Sequence, residues 1–528
     1  MSDGKQQYIK STKLVITASA LGTLFEWYDF FIYGSMAVIL GELFFQDQSP
    51  AVQLLLALAL FGAGFGVRPI GAILFGVLGD RIGRKYTFLM TITLMGLSTF
   101  AVGLLPTFAT AGVLATAMLV ALRLLQGLAL GGEYGGAAIY VAEHAPPNKR
   151  GLYTSWIQVS VTSGALLALI VILICKLTFT EEEFLAWAWR IPFLLSFFLL
   201  LVSLFLRMKL GESPVYQAMR KERRTAKNPL HESFSTWKNV KRLLVALFGV
   251  ANGLTVIFYT AQTSTLLFLQ KFTKIGEIET YMLMAIAYGL ASPFFVFFGW
   301  LSDHVGRKKL QVIGYTLFLI MLFPVFKHIG WASNQQLMQA METVPVTVVG
   351  RDCSYNVFAS KQESDCGQVL DILSNNNINY SKSEDAKLEV PVRVTIGDIT
   401  YDNPGEAPLI NALIEAGYPE KADPEKIDKA KIIFLIFALT LTSAMSYGAV
   451  GALLPELFPA RFRYTSLSIP YHVGAGYFGG FLPFISQFMI VKFGNAFVGL
   501  WYSFIIVLIA FITAALFLPE TRDYDINR

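Results

Sequence analysis

The sequence predicts an all-α polytopic membrane protein with twelve transmembrane helices in two six-helix bundles and a small α+β extracytoplasmic insertion. Three observations support this fold class. Hydrophobic residues make up 54% of the 528 residues and charged residues only 15%, whereas soluble domains carry about a quarter charged residues. The charges cluster between apolar runs of roughly 20 residues, the length that crosses a bilayer. A short charged segment also recurs at equivalent points of two hydrophobic halves, which indicates an internal repeat.

Six apolar runs precede a basic stretch and six follow it. We expect the first six spans near 14–43, 51–79, 86–106, 111–142, 153–177 and 187–208. The other six are expected near 243–271, 278–301, 308–329, 430–456, 465–490 and 494–518. The predicted domains are an N-terminal bundle (1–208), a cytoplasmic linker (209–242), a C-terminal bundle (243–329 and 430–528) and a periplasmic insertion between the ninth and tenth helices (330–429).

The recurring segment is Gly76–Lys85, G-V-L-G-D-R-I-G-R-K, which returns 223 residues later as Gly299–Lys308, G-W-L-S-D-H-V-G-R-K. An acid and several bases on a short loop between two spans can pair with a helix end and lock a domain interface. A simpler interpretation is that the basic residues only hold the orientation in the membrane. The presence of two copies at equivalent positions favours the first interpretation, in which these charged residues stabilise a domain interface.

Basic residues also predict the orientation. Both repeated segments and the stretch 209–242 are rich in Lys and Arg, whereas the alternate short loops are not. Because cytoplasmic loops carry the positive excess, we expect both termini on the cytoplasmic side of a bacterial inner membrane. The net charge of +5 then reflects these loops and gives no reason to expect nucleic acid as a partner. The stretch 209–242 could bind anionic lipid, but a solvated linker explains it more simply.

The long polar segment 330–429 is expected to form the insertion. It contains V-P-V-T-V-V and E-V-P-V-R-V-T-I, whose alternation is typical of strands. The run Pro408–Ala416 is predicted to be a short helix. Cys353 and Cys366 are expected to form a disulfide in an oxidising compartment. Metal binding by these two cysteines is not expected, because no histidine accompanies them.

Ionisable residues within spans are costly and are therefore candidates for function. Glu26 and Asp29 lie three residues apart on the first span, and Arg123 and Glu133 lie on the fourth. A carboxylate near an arginine in a low-dielectric site binds a proton according to how close the arginine is. We predict that Asp29 and Arg123, with Glu26 and Glu133, form a proton switch. The alternative is a static buried ion pair that fixes helix packing.

A charge network is predicted to close the cytoplasmic side. The fourth span runs into V-A-E-H-A-P-P-N-K-R, and the tenth into L-P-E-L-F-P-A-R-F-R. Both place an acid before a base at a helix end, so the two halves repeat this arrangement as they repeat the charged segment. The candidate gate residues are Gly76, Asp80, Arg84, Glu143, Arg150, Asp303, Arg307, Glu456 and Arg461.

Four segments together resemble one family. They are E-W-Y-D-F in the first span, V-R-P-I-G in the second, R-L-L-Q-G-L-A-L-G-G-E-Y-G-G-A in the fourth and W-R-I-P-F at Trp189–Phe193. They resemble the metabolite:H⁺ symporter family of the major facilitator superfamily, across all twelve spans. The resemblance implies a proton symporter for a small metabolite that works by alternating access. It also matches Asp29 to the proton-coupling acid and Arg123 to its partner. The insertion is similar to that of a less-characterised subgroup.

Polar residues facing the predicted central cavity are candidates for substrate binding. Arg68 could receive a carboxylate bidentately, or could simply pair with Glu26 or Glu133. His472 could bind substrate or a proton, and could equally be a packed side chain. The full set of candidates is Trp27, Arg68, Asn252, Tyr259, Gln262 and His472.

These observations predict a carrier that imports an organic acid or zwitterion with protons. Proton-driven efflux on the same fold is one alternative, and a sensor or assembly protein acting through the insertion is another. An enzyme is not expected, since no phosphate-binding loop, nucleophile elbow or cluster of metal ligands is present in the sequence. We expect no cofactor other than the coupling proton, and a protein that functions as a monomer.

Overall fold

A computed structural model describes residues 20–526 except residues 83, 133–137, 140, 144, 209–228 and 360. Ten helices in this described part are long and apolar enough to cross a membrane. A shorter apolar helix, Leu89–Leu104, lies in the third predicted span, and residues 20–35 are helical in the first. The helical content and the small four-stranded sheet of the insertion confirm the predicted fold class.

Six helices form the N-terminal half. Residues 20–35 continue as Ala37–Phe44, and Pro50–Gly66 continues as Arg68–Ile82; the others are Arg84–Leu104, Val113–Gly131, Arg150–Thr178 and Ile191–Met208. The second helix begins with proline, which lacks the N–H that a first helical residue would leave unbonded. These helices are numbered one to six below.

Glycines allow the second and fourth helices to cross closely. A Cβ atom added at Gly127 would collide with the carbonyl oxygen of Gly64, and one at Gly71 would collide with that of Leu128. Small residues allow backbones in a membrane to approach within van der Waals contact. This crossing sets the distance between Arg68 and Arg123, which lie on these two helices.

Six further helices form the C-terminal half: Trp237–Phe272, Glu277–Val305, Arg307–Ser333, Lys429–Leu457, Arg463–Phe493 and Leu500–Phe517. They are numbered seven to twelve. The first part of the predicted linker, 209–228, lies outside the described residues. Its end is helical, because a short helix spans Pro229–Phe234 and the seventh helix already begins at Trp237.

The seventh and eleventh helices are irregular. The seventh contains three π-helical segments, Leu247–Ala251, Thr260–Ser264 and Phe268–Phe272. The eleventh contains one, Gly474–Gly480. A π segment shifts the helical register by one residue and is frequent at functional sites. Both helices face the N-terminal half, so these shifts change which side chains reach the interface between halves.

The insertion is a compact α+β unit. Its strands are β1 (Val346–Gly350), β2 (Ser381–Glu384), β3 (Val392–Ile396) and β4 (Ile399–Asp402), in the order β2-β1-β3-β4. Only β1 and β2 run parallel, and the helix Asp365–Asn375 provides the crossover between them. The run predicted as a short helix is the helix Glu406–Glu415.

The insertion packs on both halves. Asn375 Oδ1 accepts a hydrogen bond from the Ala51 amide of the N-terminal half, at 3.1 Å. Asn379 Oδ1 accepts one from the Ala496 amide of the C-terminal half, at 3.0 Å. The Tyr380 amide donates to the Gly494 carbonyl at 2.9 Å. One short segment of the insertion therefore bridges the two bundles.

Candidate functional site

Asp29 lies buried inside the N-terminal half. Its Oδ1 accepts a hydrogen bond of 2.5 Å from the Ser196 hydroxyl of the sixth helix. The preceding residue, Tyr28, donates to the carbonyl of Pro192 at 2.7 Å. The first and sixth helices are thus joined around a shielded carboxyl group.

Arg123 is 1% exposed and has different neighbours. Its guanidinium lies 4.0 Å from the ring centroid of Tyr33 and 4.7 Å from that of Phe30. Its Nη1 donates to Gln126 Oε1 at 2.5 Å. Gln126 Nε2 then donates to Thr99 Oγ1 at 2.9 Å. Within the described residues, Arg123 is therefore linked through Gln126 to Thr99 of the third helix.

Of the two other predicted proton-coupling acids, Glu26 and Glu133, the structure describes only Glu26. Glu26 is buried, with an exposed fraction of 5%, about one turn before Asp29 on the same helix. Glu133 lies outside the described residues.

Arg68 stands at the interface between the halves, fully buried. Its guanidinium lies 5.8 Å from the ring centroid of Trp27, 5.1 Å from that of Phe65 and 6.0 Å from that of Tyr471. Tyr259 and His472 are electrostatic neighbours of the same arginine. Four of the six predicted substrate-binding residues, Trp27, Arg68, Tyr259 and His472, therefore converge on one place.

Gln262 and Asn252 lie elsewhere on the seventh helix. Gln262 lines a small cavity with Phe31, Thr263 and Tyr288, and its Nε2 has no hydrogen-bond partner within the described part of the chain. Asn252 is 1% exposed and packs against Gly474 of the eleventh helix. Gln262 lies near the predicted site, because Phe31, which lines the same cavity, has its ring centroid 6.2 Å from that of Tyr259. Asn252 instead lies in the packing between the seventh and eleventh helices.

Ion pairs join the two halves at the end of the interface that the sequence predicts to be cytoplasmic. Arg463 Nη1 lies 3.1 Å from Glu143 Oε1, and Arg150 Nη1 lies 3.6 Å from Glu456 Oε1. Arg307 contacts Glu456 at 3.3 Å. The spacing within each half matches Glu143 to Arg150 and Glu456 to Arg461, whereas the structure pairs Glu143 with Arg463 and Glu456 with Arg150 across the interface. It also adds Arg463, the last residue of the quoted segment L-P-E-L-F-P-A-R-F-R, which was not among the gate candidates.

The repeated segment of the C-terminal half contributes Asp303. Its two carboxylate oxygens accept hydrogen bonds from the Gly151 and Leu152 amides at the start of the fifth helix, at 2.8 and 2.9 Å. Arg307 holds the same carboxylate at 2.8 Å. A carboxylate at a helix N-terminus satisfies free N–H groups and complements the helix dipole. Gly76 and the side chains of Asp80, Arg84 and Arg461, the remaining gate candidates, lie outside what the structure describes.

The two halves also contact each other at the opposite end of the interface. The Tyr281 hydroxyl of the eighth helix donates to the Ser35 carbonyl of the first at 2.9 Å. Lys176 Nζ lies 2.5 Å from Glu277 Oε2. Beyond these contacts, the insertion and both halves line a vestibule of about 910 Å³. With contacts across both ends of the interface, the structure corresponds to an occluded arrangement.

The insertion contains the two predicted cysteines in a disulfide, with Cα atoms 4.9 Å apart. The described residues hold no group of three or more His, Cys, Asp or Glu arranged to bind a metal ion. The remaining cysteine, Cys175, is buried in the fifth helix.

Comparison with known proteins identifies the family. A model of the sugar (and other) transporter family matches residues 14–249. The inner membrane metabolite transport protein YhjE of Escherichia coli (strain K12) is 31% identical over 511 residues, which cover 95% of this chain and 93% of that protein. The chain belongs to the metabolite:H⁺ symporter family of the major facilitator superfamily. The predicted resemblance is therefore confirmed.

Other members of the metabolite:H⁺ symporter family match part of the chain. A shikimate transporter of Escherichia coli is 36% identical, covering 58% of this chain and 70% of its own. A proline/betaine transporter of Salmonella typhimurium is 35% identical, covering 59% and 63%. The xylose transporter XylE of Escherichia coli, solved in a partially occluded inward open conformation, shares the fold with a TM-score of 0.62 at 16% identity, covering 97% of this chain and 99% of that chain. Membership makes the protein a multi-pass inner-membrane transporter, not an enzyme.

Proposed function

We propose that this transporter imports a small polar metabolite, an organic acid or a zwitterion, together with protons. The observation that supports this most directly is the separation of two buried charged groups within one bundle. Asp29 is shielded among hydroxyl groups, and Arg123 is held apart against aromatic rings. A shielded carboxyl group can alternate between the protonated and ionised forms if a nearby cation moves. No cofactor is needed beyond the coupling proton.

Substrate would bind beside Arg68. A buried guanidinium presents a planar pair of donors that suits a carboxylate. The aromatic rings of Trp27, Phe65 and Tyr471 lie around this guanidinium and exclude water from it. Relatives named for shikimate and for proline/betaine make carboxylate-bearing solutes the first candidates. His472 and Tyr259 would contribute polar groups from the opposite half.

Transport would proceed by alternating access, with the two halves rocking about this site. The contacts at both ends of the interface would be the two gates, and each would open in turn. The cytoplasmic gate contains the ion pairs of Glu143, Arg150, Glu456 and Arg463. On the proposed orientation both termini are cytoplasmic and the disulfide-bonded insertion is periplasmic, and the working unit is a monomer.

The test uses purified protein in liposomes that contain a pH-sensitive dye. Shikimate, proline, glycine betaine, succinate and xylose are added one at a time to vesicles without a pH gradient. A solute-dependent entry of protons would establish symport and name the solute class. Silence across the panel from folded protein, or proton movement opposite to the solute, would contradict proton-coupled import.

Asp29→Asn is the matched variant for this experiment, because it keeps the shape of the side chain and removes its charge. We expect uphill accumulation to be lost, while exchange of labelled for unlabelled solute continues. Undiminished proton-driven accumulation by Asp29→Asn would remove Asp29 from the mechanism. Ser98→Ala serves as the control, since Ser98 bonds only within its own helix, to the Leu94 carbonyl.

A further inference from the structure

The vestibule between the insertion and the two halves is large enough to hold a small solute. Its volume of about 910 Å³ lies within the range that is typical of ligand pockets. Its wall is formed by the ends of the fifth, seventh and eighth helices and by the insertion. Among the described residues, four lysines and four glutamates supply all the charged side chains of this wall. The vestibule therefore presents both signs of charge in equal number.

One ion pair in this wall joins the two halves. Lys176, near the end of the fifth helix, has its Nζ 2.5 Å from Glu277 Oε2 at the start of the eighth helix. Their side chains are 10% and 33% exposed, so the pair is partly shielded from water. Removing one partner from such a pair is costly, because the other charge is left without a counter-charge. A solute that separates this pair must therefore replace what each partner loses.

Lys271 is a further cation in the wall. It lies in the π-helical segment Phe268–Phe272 at the end of the seventh helix and is half-buried. It forms no hydrogen bond or ion pair with a described residue, and its acidic neighbours Glu42 and Glu277 lie at longer range. Gln270 lines the same wall, and its Nε2 has no hydrogen-bond partner in the described part of the chain. An ammonium and an amide without acceptors suit a carboxylate.

A zwitterion matches these charges better than a simple anion. A carboxylate bound by Lys271 enters the same wall as Lys176 and competes with Glu277 for it. Once Glu277 is displaced it needs another cation, since a partly buried charge without a counter-charge is unfavourable. A zwitterion carries that cation, whereas an anion does not.

The same wall also leads toward the centre of the molecule. Lys271 lines a narrower cavity between the seventh and eleventh helices, and Ser264, about two turns away on the seventh helix, lines it too. Gln262, two residues before Ser264, lines the small cavity near the proposed substrate site. The vestibule and these two cavities thus follow one helix from the insertion toward Arg68.

We propose that the vestibule is a first binding site for a zwitterionic solute. Lys271 receives the carboxylate of this solute, and Glu277 receives its cationic group. Binding releases Lys176 from Glu277 and so removes one of the contacts that join the halves at this end. The inference rests on the proposed function, in which solute enters from this side, and it narrows the solute class to zwitterions.

The test measures occupancy of the vestibule in the purified full-length protein. Gly276→Cys places a thiol in the wall next to Glu277, at a position where an added Cβ atom has open space around it. The rate of maleimide labelling is compared with and without glycine betaine, and the natural free cysteine, Cys175, is buried. Glycine betaine should slow labelling several-fold in a saturable manner. Acetate and choline, which each carry one of its two charges, should not, and neither should xylose.

Two variants in this background separate the roles of the charges. Lys271→Gln should raise the glycine betaine concentration for half-maximal protection by about tenfold, because a charge-assisted hydrogen bond is lost. Lys361→Gln, at an exposed lysine of the insertion outside the vestibule wall, is the matched control and should change nothing. Glu277→Gln should weaken protection by glycine betaine and allow acetate to protect, since Lys176 is then free to bind a carboxylate.

Several results would overturn the proposal. Equal protection by acetate and glycine betaine before any charge is changed would exclude a preference for zwitterions, and no protection by either would exclude the site. Protection that persists in Lys271→Gln but disappears in Arg68→Ala would show that solute acts only from the central site. If Glu277→Gln fails to fold, Lys176→Gln tests the same pair, and choline should then protect. Failure of the proposed function is a separate result, namely protection by glycine betaine without solute-dependent proton entry in liposomes.

Discussion

Two buried arginines, Arg68 and Arg123, lie on the second and fourth helices of the N-terminal half. Arg68 lies at the meeting point of the two halves with three aromatic rings around its guanidinium. Arg123 also stacks on rings, but it is fixed by Gln126 within one half. The two arginines are chemically alike and both neighbour Tyr259 of the C-terminal half, but Arg68 also lies over Tyr471 of that half, 6.0 Å from its ring centroid. We therefore assign substrate contact to Arg68 and coupling to Arg123.

Arg68→Lys tests this assignment. Lysine keeps the charge but loses the planar fork and the stacking on aromatic faces. We expect the solute concentration at half-maximal uptake to rise about tenfold or more, with proton coupling retained. Uptake kinetics in liposomes would measure it, with exposed Arg522 changed to Lys as the control. An unchanged half-maximal concentration would show that no carboxylate binds there.

The sequence analysis found the charged residues of the site but not their neutral partners. An acid or arginine within an apolar run is conspicuous because it is costly there. Thr99 and Ser196 are inconspicuous, since hydroxyl residues are common in spans and usually bond to their own helix. Gln126 lies within the recognised R-L-L-Q-G segment, yet only the packing of the third helix against the fourth shows that it joins Arg123 to Thr99.

At the scale of elements, the end of the chain completes the cytoplasmic gate. Glu520, just after the twelfth helix, accepts hydrogen bonds from the Arg307 and Lys308 amides at 2.8 and 3.2 Å. Thr521 donates to Glu456 at 2.7 Å. The carbonyls of Tyr524 and Ile526 accept from Arg150 and Arg463. This segment therefore contacts gate residues of both halves.

Removing the Glu520 cap should weaken the gate. Glu520→Ala leaves two amides at the start of the ninth helix without their acceptor, which costs about 1 kcal/mol for a lost helix cap. We expect a lower thermal unfolding midpoint in detergent, whereas Glu520→Gln retains an acceptor and should be milder. Asp523→Ala, at an exposed neighbouring site, is the control. Equal midpoints for Glu520→Ala and the wild type would exclude a capping role.

Asp371 in the insertion should make that unit sensitive to pH. Burial raises the pKa of the Asp371 carboxyl above its ordinary value, against hydrogen bonds from Tyr355 and Asn375. A carboxyl group with a raised pKa favours the folded state at low pH, and this contribution is lost as pH rises through the folded-state value. Asp371→Asn should abolish that loss.

Hydrogen exchange of the helix Asp365–Asn375 in the full-length protein, corrected for intrinsic rates, would measure this between pH 4 and pH 7. Protection in the wild type should decrease toward pH 7 more steeply than in Asp371→Asn. Asp398→Asn, at an exposed residue, is the control, and its protection should change with pH as steeply as that of the wild type. The same slope in all three proteins would refute the assignment.

For the whole molecule, the predictable features were those with a regular pattern. Strands β1 and β3 alternate buried and half-buried residues, and their sequences were recognised as strands. Strand β2 is fully exposed and β4 nearly so, so neither shows an alternation that a sequence can reveal. The ion pairs between gate residues of different halves could not be predicted either, because they depend on how the two bundles dock and not on the spacing of residues within one bundle.

The insertion's contacts with both bundles predict a role in opening. If the halves rock apart on the external side, the bridge from Ala51 through Asn375 and Asn379 to Ala496 must break. Asn375→Ala with Asn379→Ala should therefore favour external opening. Asn376→Ala is a matched control, since Asn376 bonds only within its own helix, to Ile372.

Opening can be measured at Ser35, whose carbonyl receives the external contact from Tyr281. In a Ser35→Cys background, an impermeant maleimide added from the external side should label the double variant several times faster than the protein with an intact bridge. The natural free cysteine, Cys175, is buried and should contribute little background. Equal labelling rates in the double variant and Asn376→Ala would show that the contacts of the insertion do not restrain the separation of the two halves. Faster labelling in the double variant alone would make the insertion part of the external gate, because Asn376→Ala leaves the bridge intact.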